Sequence, residues 1–448
     1  MKKMFYKTKI LLYSCFILFS SCSYSSHNGI YDPQLILTDV KVTDKLKVDI
    51  RKMVKNPYNH DLEYKYNADR GQIIANNGSA MTDLYYAPFT GGPDTIRIAI
   101  YDKTDNINLP IISQQVFVQG ESVSYVENKN KDNELNQFEN GLIKVASIRG
   151  AINRKEIGWG RNPVISPDGR FIAYVNYLDN KTSQIIIKDP VGNETNITKD
   201  NKSLNLNPSW SKVNTDGTLN LVFSSNRDNG IFHLWTFNFD NNELKQLTNG
   251  EKNHLEPSWS PDGSKIAYTS DYSDKKINNI RNLWVLDYST NQSKQITFET
   301  TEHKGAFNPE WSLDSKKIFY SRRYQKKEAE SILDFQKIWF IDTTKENQDF
   351  GEIVTKEVDK NIIETYPSWS SDNRSISFIR HKDNENTLVS LNIVSKIGKL
   401  DDKDKQFNST EPIPEGDINN IIEARWARQR SFGYSYNNPL SNPFKSQN

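Results

Sequence analysis

The sequence predicts an all-β protein, in which a six-bladed β-propeller is preceded by a β-sandwich. The first observation is a Pro-x-Trp-Ser pattern that recurs through the second half of the chain. The second is that each copy precedes further short runs of β-branched and aromatic residues bounded by turn residues. The composition agrees, because a chain rich in Asn, Lys, Ser, Thr and Tyr suits short strands and polar turns better than long helices.

Residues 1–22 are typical of an export signal. Lysines precede the apolar run Ile10 to Phe19, and small residues follow it. A membrane-spanning helix needs roughly 20 apolar residues, so this run is too short to span a bilayer. A basic start, a short apolar run and small residues before a cleavage point are the pattern of a secretory signal. We therefore expect the chain to leave the cytoplasm.

The end of this segment, Phe19-Ser20-Ser21-Cys22, resembles the lipobox of bacterial lipoproteins, although Phe19 stands where Leu is usual. The resemblance implies that Cys22 is acylated and becomes the N-terminus of a lipid-anchored protein. Each buried methylene contributes about 0.8 kcal/mol, so two or three acyl chains would hold the protein to a membrane. Ser23 after the cysteine implies the outer membrane. Ordinary cleavage nearby is the alternative.

Charge and cysteine usage exclude several classes of function. The 57 basic and 56 acidic residues nearly cancel, so no large field would draw the protein to nucleic acid. Both cysteines, Cys15 and Cys22, lie in the export segment, which leaves no disulfide, Cys-ligated zinc or catalytic thiol in the mature body. Nucleophile-elbow, zinc-protease and phosphate-loop motifs are not present in the sequence. We therefore predict no catalytic residue, no cofactor and no metal.

Residues 30–120 alternate strand-like runs with turn residues, which predicts a β-sandwich. Ala68-Asp69-Arg70-Gly71, followed by Asp94-Thr95-Ile96 and Asp102, is similar to bacterial Ig-like domains. The resemblance implies an Ig-like domain here. The next residues, 121–140, are rich in Asn, Glu and Lys without apolar periodicity, and they predict a solvated linker.

The repeats occupy residues 141–436, and successive copies start about 45 to 58 residues apart. The copies are Asn162-Pro163-Val164-Ile165, Asn207-Pro208-Ser209-Trp210, Glu256-Pro257-Ser258-Trp259, Asn308-Pro309-Glu310-Trp311, Tyr366-Pro367-Ser368-Trp369 and the degraded Glu423-Ala424-Arg425-Trp426. After Trp259 come a turn and three strand-like runs, at residues 265–269, 282–287 and 294–297. Four strands per repeat predict a propeller blade.

The last repeat stops after two strands, near Trp426 and residues 432–434, so the ring needs strands from elsewhere. Residues 141–157 have the length of two strands. We expect them to complete the sixth blade by pairing with residues 423–436, because closing a ring with both chain ends removes exposed strand edges. Residues 437–448 are predicted to be a disordered tail.

The string Pro-x-Trp-Ser-Pro-Asp-Gly, followed by an apolar strand and a final Leu/Ile-Thr, resembles the repeat of TolB-like propellers. These include the propeller subunit of the Tol-Pal envelope system. The resemblance implies a periplasmic, monomeric binding protein with a peptidoglycan-associated lipoprotein as the first candidate partner. The predicted sandwich departs from TolB itself, whose N-terminal domain is an α/β module. The repeat also occurs in peptidase-associated propellers.

The polar residue before each repeated proline is the main candidate for function. The six are Asn162, Asn207, Glu256, Asn308, Tyr366 and Glu423. One per blade predicts a ring around the channel, with His254, His303 and Glu364 close by, and we interpret it as a rim that binds a partner. The alternative is that these groups only hydrate the channel. The repeated tryptophans are predicted to pack between blades, and the turn aspartates, such as Asp262, to cap turns.

The leading hypothesis is therefore a non-enzymatic protein- or peptide-binding scaffold of the cell envelope, periplasmic and lipid-anchored. The alternative is an exported glycan-binding or carbohydrate-active propeller, a lyase or hydrolase. Acid and base residues in a channel leave no local signature in a sequence, so the lack of motifs alone does not decide between the two.

Overall fold

The computed structural model describes residues 40–41, 46–48, 59–68, 71–75, 84–88, 92–109, 111–119, 121–128, 138–148, 154–189, 192–199, 202–212, 218–239, 241–271, 280–299, 305–328, 331–346, 350–355, 362–370, 375–382, 385–392, 411–412 and 421–427. The described residues form strands and turns without a helix, so no helix among them could cross a membrane. The export segment with Cys22, His303 and the predicted tail at 437–448 lie outside the described residues.

The N-terminal region forms two sheets. Its strands are β1 (Val40–Lys41), β2 (Leu46–Val48), β3 (Leu62–Ala68), β4 (Gly71–Ala75), β5 (Leu84–Pro88), β6 (Gly92–Asp102), β7 (Ile107–Asn108) and β8 (Ile112–Gln119). One sheet has the order β1-β8-β6-β3 with β7 beside β6, and the other has the order β2-β5-β4. Two sheets thus occupy the region for which a sandwich is predicted, and the Ig-like resemblance stays a prediction.

The rest of the chain forms six blades, which confirms the predicted propeller. Blade 1 is the second half of β11 (Arg154–Ile165) with β12 (Ile172–Tyr177), β13 (Ser183–Lys188) and β14 (Glu194–Asn196), and blade 2 is β15 (Asn205–Trp210), β16 (Asn220–Asp228), β17 (Ile231–Asn238) and β18 (Glu243–Gln246). Blade 3 is β19 (His254–Trp259), β20 (Lys265–Ser270), β21 (Asn282–Asp287) and β22 (Gln292–Gln295), and blade 4 is β23 (Gly305–Trp311), β24 (Lys317–Glu328), β25 (Ser331–Asp342) and β26 (Glu352–Ile353). Blade 5 is β27 (Ile363–Trp369), β28 (Ser375–Lys382), β29 (Glu385–Asn392) and β30 (Glu411–Pro412), and blade 6 is β31 (Ile421–Trp426), β9 (Glu121–Glu127), β10 (Gly141–Ile148) and the first half of β11.

Blade 6 closes the ring with strands from both ends of the propeller, in the order β31-β9-β10-β11. The C-terminal side supplies only β31, and the N-terminal side supplies the other three strands. Strand β9 pairs with β31 from Trp426 opposite Val123 to Ile421 opposite Glu127. The sequence predicts that residues 141–157 pair with the last strand. They do not pair with β31, because β9 lies between them.

The linker predicted for residues 121–140 is wrong over its first seven residues, which form β9. Only one residue, Gly120, separates β9 from the last strand of the N-terminal sheet. The strand lies inside a blade and is buried on both faces: Val123 and Tyr125 are buried, and so are Ser122 and Ser124. Two serines at buried positions lower the apolar content of this strand, so its sequence is polar enough to resemble a linker.

The repeated tryptophans pack between blades, as predicted. The indole N–H of Trp210 in blade 2 donates to the carbonyl of Val164 in blade 1 at 3.0 Å. The indole N–H of Trp311 in blade 4 makes the same contact with the carbonyl of Ser258 in blade 3 at 3.1 Å. All five tryptophans at the repeat position are buried. Each ring thus fills a space between blades, and the indoles of Trp210 and Trp311 also bind the neighbouring blade through a hydrogen bond.

The turn aspartates cap turns, which also confirms the interpretation of the sequence. Asp262 accepts hydrogen bonds from the hydroxyl of Ser260 at 2.6 Å and from the backbone N–H of Ser264 at 2.9 Å. Asp168 accepts from the hydroxyl of Ser166 at 2.6 Å in the same way. These carboxylates hold the connection between the first two strands of a blade and face away from the channel mouth.

Candidate functional site

The residue before each repeated proline sits on a bulge of the first strand. In blades 1 to 5 the pairing between the first and second strands shifts register at this point. The proline has no N–H and cannot continue the ladder. A bulge at the same place in five blades turns the preceding side chain in the same way each time.

The backbone of these five residues has a positive φ, between 49° and 53°. They are Asn162, Asn207, Glu256, Asn308 and Tyr366. The left-handed conformation costs about 1–2 kcal/mol for a residue other than glycine. Asn adopts this conformation more readily than most residues, but Glu and Tyr do not, so the backbone at Glu256 and Tyr366 is strained. Strain repeated at such positions is typical of places where side-chain direction serves a function.

The ring residues contact one another around the propeller axis. A carboxylate oxygen of Glu423 in blade 6 accepts the backbone N–H of Asn162 in blade 1 at 2.5 Å. Glu256 in blade 3 accepts the backbone N–H of Asn308 in blade 4 at 3.0 Å. The side-chain amide of Asn207 reaches the amide oxygen of Asn162 at 3.4 Å. The structure therefore brings Glu423, Asn162 and Asn207 together, and it joins Glu256 to Asn308.

Glu423 also pairs with Arg161, the residue before the ring position in blade 1. The Nε and Nη2 atoms of Arg161 lie 2.8 and 2.7 Å from one carboxylate oxygen of Glu423. Both side chains are buried, with 9% and 4% of their surfaces exposed. Burial by itself would lower the pKa of Arg161, but the carboxylate of Glu423 outweighs it and raises that pKa. The pair joins the two ends of the propeller.

Glu256 has the same kind of partners in a more open place. Its carboxylate accepts from the hydroxyl of Thr269 at 3.1 Å, and Arg281 lies 3.5 Å away. The side chain of Glu256 is 13% exposed and that of Arg281 is 34% exposed. This acid therefore stays in contact with solvent at the mouth.

The phenol of Tyr366 lies close enough to Glu423 and Glu256 for both negative charges to affect its pKa. Burial raises the pKa of its phenol, and the negative charges of Glu423 and Glu256 raise it further, while Arg161 and Arg425 oppose them. Both glutamates thus act on one hydroxyl, although they belong to blades 6 and 3. Four charged side chains from different blades therefore act on the phenol of Tyr366, which stays neutral.

A second ring lies two residues further along each first strand. Its members are Val164, Ser209, Ser258, Glu310, Ser368 and Arg425. Arg425 and Glu310 approach to 3.7 Å, and the hydroxyl of Ser258 donates to Glu310 at 3.1 Å. A cavity of about 30 Å³ beside this pair has room for little more than a water or two. Sequence reasoning missed the pair, although opposite charges at a position where three of the six copies have Ser were a usable signal.

Exposed apolar side chains gather on the side of the ring where the first strands begin, which we call the mouth face. Among the described residues the large exposed ones are Trp159, Leu178, Phe298, Ile363 and Tyr288. Leu178 and Phe298 follow the mouth-face ends of β12 and β22, and Ile363 begins β27. Trp159 lies within β11, opposite Leu142 near the mouth-face start of β10. Tyr288 lies in the turn between β21 and β22 at the opposite face.

The structure separates His254 from the ring residues with which the sequence grouped it. Its ring nitrogen lies 3.4 Å from that of His233 in blade 2, and its ring packs against Tyr268. Burial, reinforced by His233, lowers the pKa of His254 to about 4. His303 lies outside the described residues, and Glu364 is buried against Arg380 at 2.9 Å.

Over the described residues, the group with the donor set for a metal ion lies in the N-terminal sheet. His60 contacts Asp102 at 2.6 Å and lies 3.7 Å from Asp105. Asp102 also accepts the backbone N–H of Thr104 at 2.9 Å, as in an ordinary capped turn. None of the ring residues belongs to this group.

Comparison with known proteins finds a family model described as the TolB beta propeller domain, which matches residues 116–406. TolB from Acinetobacter baumannii is 18% identical over 81% of this chain and 83% of its own, with a TM-score of 0.48. A putative TolB from Agrobacterium tumefaciens is 16% identical over 53% and 88%, with a TM-score of 0.35. An oligogalacturonate lyase from Vibrio parahaemolyticus is 10% identical over 71% and 94%, with a TM-score of 0.38. No curated protein matches the chain.

Proposed function

Because the chain belongs to the TolB β-propeller domain family, we propose that it is a non-enzymatic scaffold that binds a protein or peptide at the mouth face. It would work in the periplasm, anchored to the outer membrane through Cys22, and a peptidoglycan-associated lipoprotein is the first candidate partner. The observation that supports this most is the ring itself. Five first strands carry a residue of positive φ before the repeated proline, Glu423 holds the equivalent position in blade 6, and four of the exposed apolar residues lie on the mouth face.

The charges at the mouth favour recognition by shape and apolar contact over recognition by a strong field. Glu423 pairs with Arg161, Glu256 with Arg281, and Glu310 with Arg425. Each negative charge is thus balanced by an arginine, and the long-range potential is small. Exposed apolar side chains beside a neutral polar ring are the usual composition of a protein interface.

The hydrogen bonds of the two acids favour binding over acid-base catalysis. A general acid or base needs a carboxyl oxygen directed at the substrate. Both oxygens of Glu423 already accept from Arg161 and from the backbone of Asn162. The oxygens of Glu256 accept from Thr269 and Asn308. These carboxylates stabilise the positions of the neighbouring ring residues, and the polar groups of the ring contact the partner.

The test uses in-cell crosslinking of the full chain, with partners identified by mass spectrometry. Phe298→Asp and Ile363→Asp place charge on the mouth face, and Tyr288→Asp places the same charge on the opposite face as a matched control. We expect the first two variants to lose the partner and the third to keep it. A purified peptidoglycan-associated lipoprotein is then tested for direct binding. A glycan cleavage product that depends on Glu256, or partners unaffected by both mouth-face variants, would overturn the proposal.

A further inference from the structure

Three groups of the kind that bind metal ions meet at one end of the N-terminal sheet that contains β3 and β6. They are the imidazole of His60 and the carboxylates of Asp102 and Asp105. One donor atom from each lies within 4.8 Å of the other two. An imidazole nitrogen with two carboxylate oxygens is a mixed donor set that suits a divalent transition metal such as zinc. The imidazole distinguishes this group from a cluster of acids alone.

The pairing of β3 with β6 brings the first two groups together, although they are 42 residues apart. Leu62, the first residue of β3, lies opposite Asp102, the last residue of β6. The backbone N–H of Lys103 donates to the carbonyl of Asp61 at 2.8 Å and continues the pairing by one residue. His60 therefore lies at the end of this ladder, where its Nδ1 atom is 2.6 Å from Oδ2 of Asp102.

The turn between β6 and β7 supplies the third group. Asp105 belongs to this turn, and its Oδ2 atom lies 3.7 Å from Nδ1 of His60. The backbone N–H groups of Thr104 and Asp105 donate to Oδ1 of Asp102 at 2.9 and 3.2 Å. The hydroxyl of Thr104 accepts the backbone N–H of Asp61 at 2.8 Å. The turn is therefore hydrogen-bonded both to itself and to the segment before β3, which holds the three donors on connected backbone.

The two oxygens of Asp102 have different partners. Oδ1 accepts the two backbone N–H groups of the turn and orients the carboxylate, while Oδ2 faces His60. Hydrogen bonds that orient a ligand in this way are usual around metal ions in proteins. The side chain of Asp102 is 0% exposed, whereas those of His60 and Asp105 are 17% and 40% exposed. One side of the group is thus fixed and buried, and the other side is open to an ion and to water.

The separations between donor atoms are close to those around a zinc ion. Bonds of about 2.0 to 2.2 Å place two ligand atoms of a tetrahedral zinc site about 3.4 Å apart. The contact of His60 with Asp102 is shorter, at 2.6 Å, because a proton on Nδ1 lies between the two atoms. The contact of His60 with Asp105 is slightly longer, at 3.7 Å. A zinc ion would take the place of that proton, which leaves to solvent or moves to Nε2, and each contact would change by less than about 1 Å.

The charges of this region also favour a cation. The carboxylates of Asp102 and Asp105 approach one another and repel, and a positive charge between them relieves the repulsion. Lys103, the lysine of the turn, lies 3.9 Å from Asp61 and 3.8 Å from Glu63, so its ammonium group is directed at a different pair of acids. A divalent ion between Asp102 and Asp105 would balance both of their charges.

We propose that His60, Asp102 and Asp105 form a zinc-binding site, in which water completes the coordination of the ion. The ion would join the segment before β3 to the turn between β6 and β7. The site belongs to the N-terminal sheets and not to the propeller. Its assignment therefore does not rest on the partner binding proposed for the mouth face.

The experiment is isothermal titration calorimetry of the full chain with zinc chloride, with Cys15 and Cys22 replaced by serine so that no thiolate binds the ion. We expect one ion to bind with a dissociation constant on the order of 10 μM, weaker than at structural sites with four protein ligands. X-ray absorption of the protein with one equivalent of zinc should show one imidazole per ion and oxygen ligands at about 2.0 to 2.2 Å. Magnesium chloride should bind roughly a hundredfold more weakly, because magnesium prefers oxygen ligands.

Two variants remove ligands, and a third is the matched control. His60→Gln and Asp105→Asn should each weaken zinc binding roughly tenfold or more. Asp61→Asn changes a carboxylate next to His60 in sequence that is 73% exposed and lies near Lys103, and it should leave zinc binding unchanged. Asp105→Asn alters an exposed turn residue and keeps the contact of His60 with Asp102. It therefore tests the site even if His60→Gln does not fold.

Three results would overturn the proposal. Zinc could fail to bind at concentrations up to about 1 mM, both ligand variants could bind zinc as tightly as the parent chain, or the absorption spectrum could show two or more imidazoles per ion. The last two results would assign the ion to other histidines of the chain. Equal affinity for magnesium would contradict the choice of metal, since it would leave the imidazole without a role. Phe298→Asp and Ile363→Asp should keep zinc binding, so this proposal and the proposed function fail separately.

Discussion

Glu423 in blade 6 and Glu256 in blade 3 occupy the same position of the repeat and make the same contacts. Each accepts the backbone N–H of the ring residue in the next blade, and each pairs with an arginine. They differ in burial, because the side chain of Glu423 is 4% exposed and that of Glu256 is 13% exposed, with partners at 9% and 34%. The same kind of ion pair is therefore buried at Glu423 and partly open to solvent at Glu256.

The difference follows from what each blade needs. Blade 3 is continuous in sequence, so its four strands follow one another along the chain and Glu256 is not needed to hold a distant strand in place. Blade 6 is assembled from segments about 300 residues apart, and among the described residues β9 is the only strand with which β31 pairs. A buried pair is costly to break once formed. We infer that Glu423 closes the ring and Glu256 serves the mouth.

The largest expected effect is that of Glu423→Ala. The substitution leaves Arg161 buried without its carboxylate and the N–H of Asn162 without its acceptor. We expect a loss of about 3–5 kcal/mol in the free energy of unfolding, measured by urea denaturation. Glu256→Ala is the matched control, and for a partly solvated pair we expect about 1 kcal/mol or less. Equal losses in the two variants would remove the distinction between closing and binding.

The pair across the channel should come next in size. Arg425→Met leaves Glu310 with Ser258 as its hydrogen-bond donor, and we expect a loss of about 1–3 kcal/mol in the free energy of unfolding. The double variant Arg425→Met with Glu310→Gln should recover most of that loss, since removing both charges is often nearly neutral. A double variant whose loss equals the sum of the losses of the two single variants would show that the pair is not coupled.

A smaller effect concerns pH and the first strand of blade 3. The pKa of His254 is lowered to about 4 from an ordinary value near 6.5. Between these two pH values the unfolded chain binds the proton and the folded chain does not, so stability falls as the pH falls from 6.5 toward 4. We expect His254→Gln to reduce this acid-side loss by an amount on the order of 1 kcal/mol. Parallel stability curves for the two proteins would contradict the assignment.

The smallest effect on stability should be that of Glu256→Gln. The amide keeps the shape and the hydrogen bond from Asn308 but loses the charge beside Arg281. We expect a change below about 1 kcal/mol in the free energy of unfolding and a loss of roughly tenfold in partner affinity, measured by isothermal titration calorimetry. Loss of stability without loss of affinity would assign Glu256 to the fold and not to the mouth.

The sequence was most informative where local chemistry repeats. The Pro-x-Trp pattern predicted four first strands and the burial of Trp210 and Trp311, and Asp262 was identified as a turn residue from its neighbours alone. These features depend on residues close to one another in the chain. The number of blades followed from counting them.

What sequence reasoning missed depends on contacts between distant residues. Strand β9 has serines at two buried positions, and only its pairing with β10 and β31 makes it part of a blade. Arg161 and Glu423 are 262 residues apart, so nothing local shows that they meet. His254 precedes Glu256 by two residues, but the bulge between them turns the two side chains to different sites.

The pairing of β31 with β9 fixes the positions of Glu423 and Arg425, which are the blade 6 members of the two rings. A cysteine crosslink tests this pairing. With Cys15 and Cys22 replaced by serine, Ser124→Cys with Arg425→Cys joins residues that face each other in this ladder, at a spacing a disulfide can bridge. Val145 lies one strand further out, opposite Ser124. We expect the pair at residues 124 and 425 to form a disulfide and the pair at 145 and 425 to stay reduced. The opposite result would contradict this closure of the ring and with it the mouth that Glu256 and Glu423 share.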